Sequence, residues 1–407
     1  MTTPHPFDPS APFRPDIKAA APYAGKPLYR FVGGNKSYDS VPVAGLTEAM
    51  ASVLQRDGEK LAIYNLDGNP LGYEPLREYV SAMLLARAAT VADPGNVLIT
   101  SGSLQALDLV NQLFTQPGDT VLVEQATYGG MLSRLRSIGV GYQGVALDNN
   151  GIEPDHLDQV VTSLSREGRK PKYLYTIPTV QNPTGSVMPT ERRREILEIA
   201  RLHDLLIFED DCYADLLWEG ERPPTFRALD LADQDGSEGP EHASRVVYCG
   251  SFSKSIAPAL RVGFVVADWE VLSRMLSLKV DAGSGALEQM VLAEYCTHYF
   301  DQHVAQLLPD LRAKSDALLA ASEQHFGEMV TITPPKGGIY SWLEFPNHIN
   351  TSTYVDAASA LGVQFNPGAE WSADAKWGAS RMRLCFGEAS IEEIDRGVAA
   401  LASVFPR

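Results

Sequence analysis

A chain of 407 residues that is 44% hydrophobic can bury a sizeable core and is long enough for two lobes. Its formal net charge of −17 argues against nucleic acid as a partner, because neutralising phosphates takes clustered Lys and Arg. No apolar run approaches membrane-spanning length, and the four cysteines form no C-x-x-C pair, which argues against a membrane anchor, a metal site and a disulfide framework.

Residues 1–40 read as an irregular arm rich in Pro and Gly. Its start, Met1 to Pro15, is polar and lacks the apolar region of a signal peptide, so a cytoplasmic, reduced setting is expected. Helical periods follow at 43–55 and 76–88. A short β run at 97–100 leads to a helical pattern at 104–114. Then come strands at 120–124 and 140–147, separated by a helix at 128–138 and followed by a helix to about 165. Strands at 172–177 and 205–209 flank a helix at 190–204. The acidic, glycine-containing segment 229–244 reads as an exposed loop, and strands at 246–250 and 262–267 complete the series.

The alternation predicts an α/β domain over 41–285 with a largely parallel sheet covered on both faces. Beyond 285 the texture changes. A long helix at about 286–326, β runs at 330–333, 338–344 and 383–386, and helices near 352–361 and 390–403 predict a smaller α+β domain over 286–407.

In open α/β sheets ligands sit beyond the carboxyl ends of the strands. Four strand exits carry candidate chemistry. Thr100-Ser101-Gly102-Ser103-Leu104-Gln105 offers free backbone N–H groups to an anion, or is a plain helix start capped by Ser101 or Ser103. Gln181-Asn182-Pro183-Thr184-Gly185 is a turn, or it aims an amide into the cleft, with Asn182–Pro183 a candidate cis bond. Glu209-Asp210-Asp211-Cys212-Tyr213 ends a buried strand with carboxylates that need a cation or several donors, unless Asp210 or Asp211 caps a helix. Ser251-Phe252-Ser253-Lys254 puts a lysine after another buried strand, with Arg261 nearby. Such a lysine is either a surface residue or a deprotonated nucleophile able to form a Schiff base. One ligand satisfies all four sites: pyridoxal 5′-phosphate, with its aldehyde, ring nitrogen, ring oxygen and phosphate.

With these motifs in this order the chain resembles the fold-type-I pyridoxal-phosphate enzymes, class I/II aminotransferases. It is most similar to the 2-aminoadipate aminotransferase-like branch, whose domain also occurs fused in some transcription regulators. The resemblance spans nearly the whole chain from about Gly33. It implies the aspartate aminotransferase-like fold: a large domain with a mainly parallel seven-stranded sheet between helices, plus a small α+β C-terminal domain that the N-terminal arm joins. It also implies a homodimer with shared active sites.

By that resemblance Lys254 is the Schiff-base lysine and base, and Asp210 pairs with the ring N–H. Tyr213 and Asn182 are donors to the ring oxygen, and Tyr128 stacks on the ring. Gly102, Ser103 and Leu104 form the phosphate-binding helix start, and Ser251, Ser253 and Arg261 complete the phosphate cup. Tyr64 reaches across the dimer to the neighbouring phosphate. Arg383 grips the substrate's α-carboxylate, with Arg381 the alternative, expected on the opposite strand face. Gly34, within Gly33-Gly34-Asn35, covers the substrate, and Asn182 also approaches it. Tyr23 and Arg30 are weaker candidates for the same region. Three features depart from the pattern: Leu104, the stretch Asn35-Lys36-Ser37-Tyr38, and residues 280–285. The implied reaction moves an amino group from an L-amino acid to a 2-oxo acid. The alternative is elimination, replacement, cyclisation or oxidative deamination on the same coenzyme.

Overall fold

A computed structural model describes residues 19–20, 22, 25–233 and 243–406. Tyr23, most of the arm before residue 25, and most of the expected acidic loop lie outside the described residues.

Seven strands form the main sheet: β1 (Val97–Thr100), β2 (Thr120–Glu124), β3 (Gly141–Val145), β4 (Tyr173–Thr176), β5 (Leu206–Asp210), β6 (Val246–Ser251) and β7 (Gly263–Val266). Their order across the sheet is β1-β7-β6-β5-β4-β2-β3. All neighbours run parallel except β7, which is antiparallel to both β1 and β6. The inner strands are buried along nearly their whole length because both faces are covered, whereas the edge strand β3 is exposed at its start. Alternate side chains go to opposite sides. Leu122, Leu174, Ile207 and Val246 pack with Leu157 and Ile196. Val121, Val123, Phe208 and Val247 pack with Leu107 and Leu132 on the other face.

The second sheet has four antiparallel strands, β8 (Thr331–Ile332), β9 (Tyr340–Glu344), β10 (Asn366–Pro367) and β11 (Arg381–Cys385), in the order β8-β9-β11-β10. A 41-residue helix, Ala286–Phe326, packs against Val43–Asp57 at one end of the chain and Ile391–Ala402 at the other.

Three local expectations need correction. Within 229–244, residues up to Ala232 belong to a helix, Phe226–Ala232, rather than a loop. Its start is capped twice: from afar, the Glu209 carboxylate accepts the Phe226 and Arg227 N–H groups at 2.9 and 3.3 Å, and locally Thr225 Oγ1 accepts Ala228 N–H at 2.9 Å. Residues 1–40 are not irregular throughout, since Tyr29–Arg30 pairs in parallel with Val363–Gln364. A helix at Trp269–Leu278 follows β7 where none is expected.

Candidate functional site

A cavity of about 400 Å³ opens where the carboxyl ends of β4, β5 and β6 meet β9, β11 and the Gly33-Gly34 segment. Of the residues singled out from sequence, Ser103, Leu104, Tyr128, Asn182, Asp210 and Tyr213 line it. So do Ser253, Lys254, Arg261, Arg383 and Gly34.

Lys254 is half-buried, and its Nζ donates to the Gly34 carbonyl at 2.9 Å. Burial is the main influence on its pKa and lowers it, favouring the free amine. Asp210 ends β5 with its carboxylate buried. Burial raises its pKa, while the neighbouring polar groups of Cys212 and Tyr175 oppose the rise. The Tyr175 hydroxyl donates to Asp210 Oδ2 at 2.6 Å. Asp210 Oδ1 is buried without a hydrogen-bond partner. Neither Asp210 nor Asp211 caps a helix, because the turn that follows starts after Tyr213. Asp211 is a structural neighbour: it pairs with Arg222 at 2.8 Å and accepts from Tyr248 at 3.2 Å.

Asn182 precedes Pro183 across a cis peptide bond. Its Oδ1 accepts from Arg383 at 3.2 Å, and its Nδ2 faces the Tyr213 hydroxyl at 3.5 Å. The helix Ser103–Phe114 starts at Gly102 with no side-chain cap, so neither Ser101 nor Ser103 plays that part. Gly102 has φ +75° and sits against the Arg261 guanidinium, where a Cβ would collide.

Arg383 is 1% exposed. Its NH2 donates to Gly33 O at 2.9 Å and Asn366 Oδ1 at 2.6 Å. Its guanidinium carbon lies 3.4 Å from the Trp371 ring centroid and 4.1 Å from that of Tyr340. Its Nε is buried and unpartnered. Arg381 is two positions away, so the pleat puts it on the same face, not the opposite one. It differs in its partners, stacking on Trp377 at 3.6 Å and pairing with Glu344 at 2.9 Å.

Some expected residues lie apart from the cavity wall. Ser251 Oγ accepts the Ser253 N–H at 3.1 Å and turns toward Val262 O, so it braces the loop from behind. Tyr64 is 80% exposed. Arg30 pairs with Glu388 at 3.3 Å. Sequence reasoning also missed lining residues. Tyr340 shares a 2.9 Å hydroxyl contact with Tyr213. Trp371, Asn366 and Cys212 also line the wall. Tyr340 was accessible in principle, since it follows Gly337-Gly338 in a β run, but Trp371 and Asn366 carry no local signal. Asp210, Cys212 and Cys249 bring their ligand atoms within 4.8 Å of one another, a proximity across β5 and β6 that cysteine spacing does not show. Both thiols are raised, Cys212 chiefly by hydrogen bonding to Cys249 and then by burial.

The cavity thus pairs a buried acceptor lacking a donor with a buried guanidinium N–H lacking an acceptor, and sets a poorly solvated amine in the same space. These are the needs of a cationic ring N–H, a carboxylate and an aldehyde, so the residues present fit pyridoxal phosphate with an amino acid.

A family model described as "Aminotransferase class I and II" matches residues 34–401. The chain is 32% identical over 375 residues to an aromatic-amino-acid aminotransferase of Thermococcus litoralis, covering 91% of this chain and 86% of that one. It is 33% identical over 376 residues to a 2-aminoadipate transaminase of Thermus thermophilus, covering 92% and 89%. A solved structure of alpha-aminoadipate aminotransferase from Thermus thermophilus, complexed with N-(5′-phosphopyridoxyl)-L-leucine, superposes with a TM-score of 0.82 at 32% identity, covering 92% of this chain and 91% of that one. The protein therefore belongs to the class I and II aminotransferases, pyridoxal-phosphate-dependent enzymes of amino-group transfer.

Proposed function

We propose that the cavity is the transfer site and that one coenzyme is held there by the residues described, with an L-amino acid as donor and a 2-oxo acid as acceptor. The observation that carries this reading is the pair of buried, unpartnered atoms, Asp210 Oδ1 and Arg383 Nε, in one cavity with Lys254. Bound pyridoxal phosphate supplies an aldehyde and an electron-withdrawing ring that makes the substrate's Cα–H acidic.

Lys254 gives the amine that holds the coenzyme and, once released, carries the proton to and from the substrate. Its half-buried position keeps the amine unprotonated more readily than in water. Asp210 accepts the ring N–H through Oδ1, while Tyr175 fixes the carboxylate through Oδ2. Asn182 and Tyr213 donate toward the ring oxygen, and Tyr128 covers the ring face. The start of helix Ser103–Phe114 would hold the phosphate, with Leu104 lining that end and Ser253 and Arg261 as further donors. Gly102 leaves room for Arg261, and Ser251 orients the Ser253 N–H. Arg383 grips the α-carboxylate in a fork, and the aromatic sandwich of Trp371 and Tyr340 keeps the fork planar to its target. Gly34 walls the substrate side.

Exposed Tyr64 is read as a contribution to the second copy's phosphate in a homodimer. No helix among the described residues is long and apolar enough to cross a membrane, and we read the setting as cytoplasmic. The first donors to test are aromatic amino acids and 2-aminoadipate, the substrates for which the two relatives are named. Purified protein is incubated with pyridoxal phosphate, reduced with borohydride and digested. The expected result is a coenzyme-bearing peptide containing residue 254 and none in Lys254→Ala. An adduct elsewhere, or no adduct, defeats the assignment.

A further inference from the structure

The stretch after the glycine pair, Asn35-Lys36-Ser37-Tyr38, has no part in the transfer chemistry, yet it contains a costly side chain. Lys36 is 7% exposed and has no ion pair among the described residues. Its Nζ donates to two main-chain carbonyls, Ser255 O at 3.0 Å and Ile256 O at 2.9 Å. These residues directly follow Lys254. Burial first, and then repulsion from Lys254 whenever that amine is protonated, push the Lys36 pKa down to about 8. The other titratable group here is His303 from the long helix, whose Nε2 meets the same Ser255 carbonyl at 2.9 Å. An ammonium is seldom buried against neutral carbonyls, because the loss of hydration is only partly recovered.

The neighbouring bonds show what the cation accomplishes. Gly33 O accepts from Arg383 and Gly34 O accepts from Lys254, each at 2.9 Å. Both of those ties end on side chains that the ligands claim. Once Lys254 holds coenzyme and Arg383 holds a carboxylate, these ties weaken or vanish. The bonds from Lys36 end on backbone carbonyls that neither ligand takes. Gly34 has no slack to move inward, since a Cβ there would lie 2.6 Å from both Lys254 Nζ and Tyr340 OH.

We propose that Lys36 is a positioning residue: it pins the 33–36 segment to the loop bearing Lys254, so that the segment remains seated over the loaded site. The proposal rests on the reading that Lys254 carries the coenzyme. It also separates two jobs of the segment. Asn35, through its 3.2 Å bond to Glu388, and Ser37, through its 2.9 Å bond to Gly387, hold it to the C-terminal side. Lys36 holds it to the coenzyme side.

The test uses full-length, coenzyme-loaded protein and the Lys36→Met variant, which keeps side-chain length without a donor. Hydrogen–deuterium exchange of the peptide spanning 31–38 is expected to rise at least tenfold in the variant, with exchange of β4 and β5 unchanged. KM for the amino donor should rise about tenfold with kcat within threefold, a split that general destabilisation does not give. Exchange within twofold of wild type, with KM unchanged, overturns the pin. Should Lys36→Met fail to fold, wild-type protein is compared with and without coenzyme. Exchange of the same peptide is expected to stay within threefold on loading, and a tenfold rise overturns the proposal, because Lys254 would then have been the main tether. Absence of a borohydride-fixed adduct at residue 254 overturns the coenzyme reading and the pin with it. An adduct with unchanged exchange in Lys36→Met overturns the pin alone.

Discussion

Replacing Arg383 by lysine keeps the charge and removes the fork. The guanidinium now donates to Asn182, Gly33 and Asn366, retains a free buried Nε, and lies between Trp371 and Tyr340. A lysine offers a single nitrogen, so the two-pronged grip on a carboxylate becomes one bond. A hydrogen bond to a charged group contributes about 1.5–3 kcal/mol. Loss of the flat guanidinium stacked on the two rings, only partly replaced by an ammonium, adds about 0.5–1 kcal/mol. The sum, about 2–4 kcal/mol, corresponds to a loss of roughly 30- to 1000-fold in kcat/KM for an amino acid donor. The assay is a stopped-flow half-reaction that follows the coenzyme's absorbance after mixing with the donor. Each amino acid is paired with the amine that lacks its carboxylate. The amine should react at rates within threefold in wild type and Arg383→Lys, since it never used the fork. A drop below threefold for the amino acid, or an equal drop for the amine, refutes the carboxylate role.

Asp210→Asn removes the charge behind Oδ1, and losing a buried charge-assisted bond of about 3 kcal/mol weakens coenzyme retention about 100-fold, read by coenzyme titration. Gly34→Ala puts a methyl group 2.6 Å from Lys254 Nζ and Tyr340 OH, so kcat/KM should fall at least tenfold while thermal stability without coenzyme changes little. Leu318→Ala, at a fully buried position of the long helix, should cost about 2–5 kcal/mol in chemical denaturation with site chemistry unaltered. Lys36 gives a pH signature. Its folded pKa of about 8 lies below the ordinary 10.5, so between these values the unfolded chain holds a proton that the folded chain has lost. Stability therefore rises with pH in this window, and the wild-type advantage over Lys36→Met should grow by about 2 kcal/mol from pH 7.5 to 9.5. A flat difference would contradict the shift.

Local pattern determined much of this molecule. The strands Val97–Thr100 and Thr120–Glu124 fall on the apolar β runs of the sequence, and the helix Ala286–Phe326 spans the stretch that reads as helical. Side-chain alternation and helical period are short-range properties, so a linear reading captures them. The strand-exit motifs were legible for the same reason: each lies within a few residues of the strand that presents it. Only the fold decided which groups meet across long separations. Tyr175 reaches Asp210 because β4 lies beside β5. Trp371 and Tyr340 enclose Arg383 from separate segments of the chain. Glu209 caps a helix that its composition alone presents as a loop. Ser251 meets Val262 O and the Ser253 N–H, partners set by how the end of its buried strand packs. Lys36 was visible as an odd residue after a glycine pair, but its partners are carbonyls more than two hundred residues away, and no side-chain identity encodes them. Residue type fixes what a group can donate or accept, whereas burial and the neighbour it meets depend on how distant segments pack together.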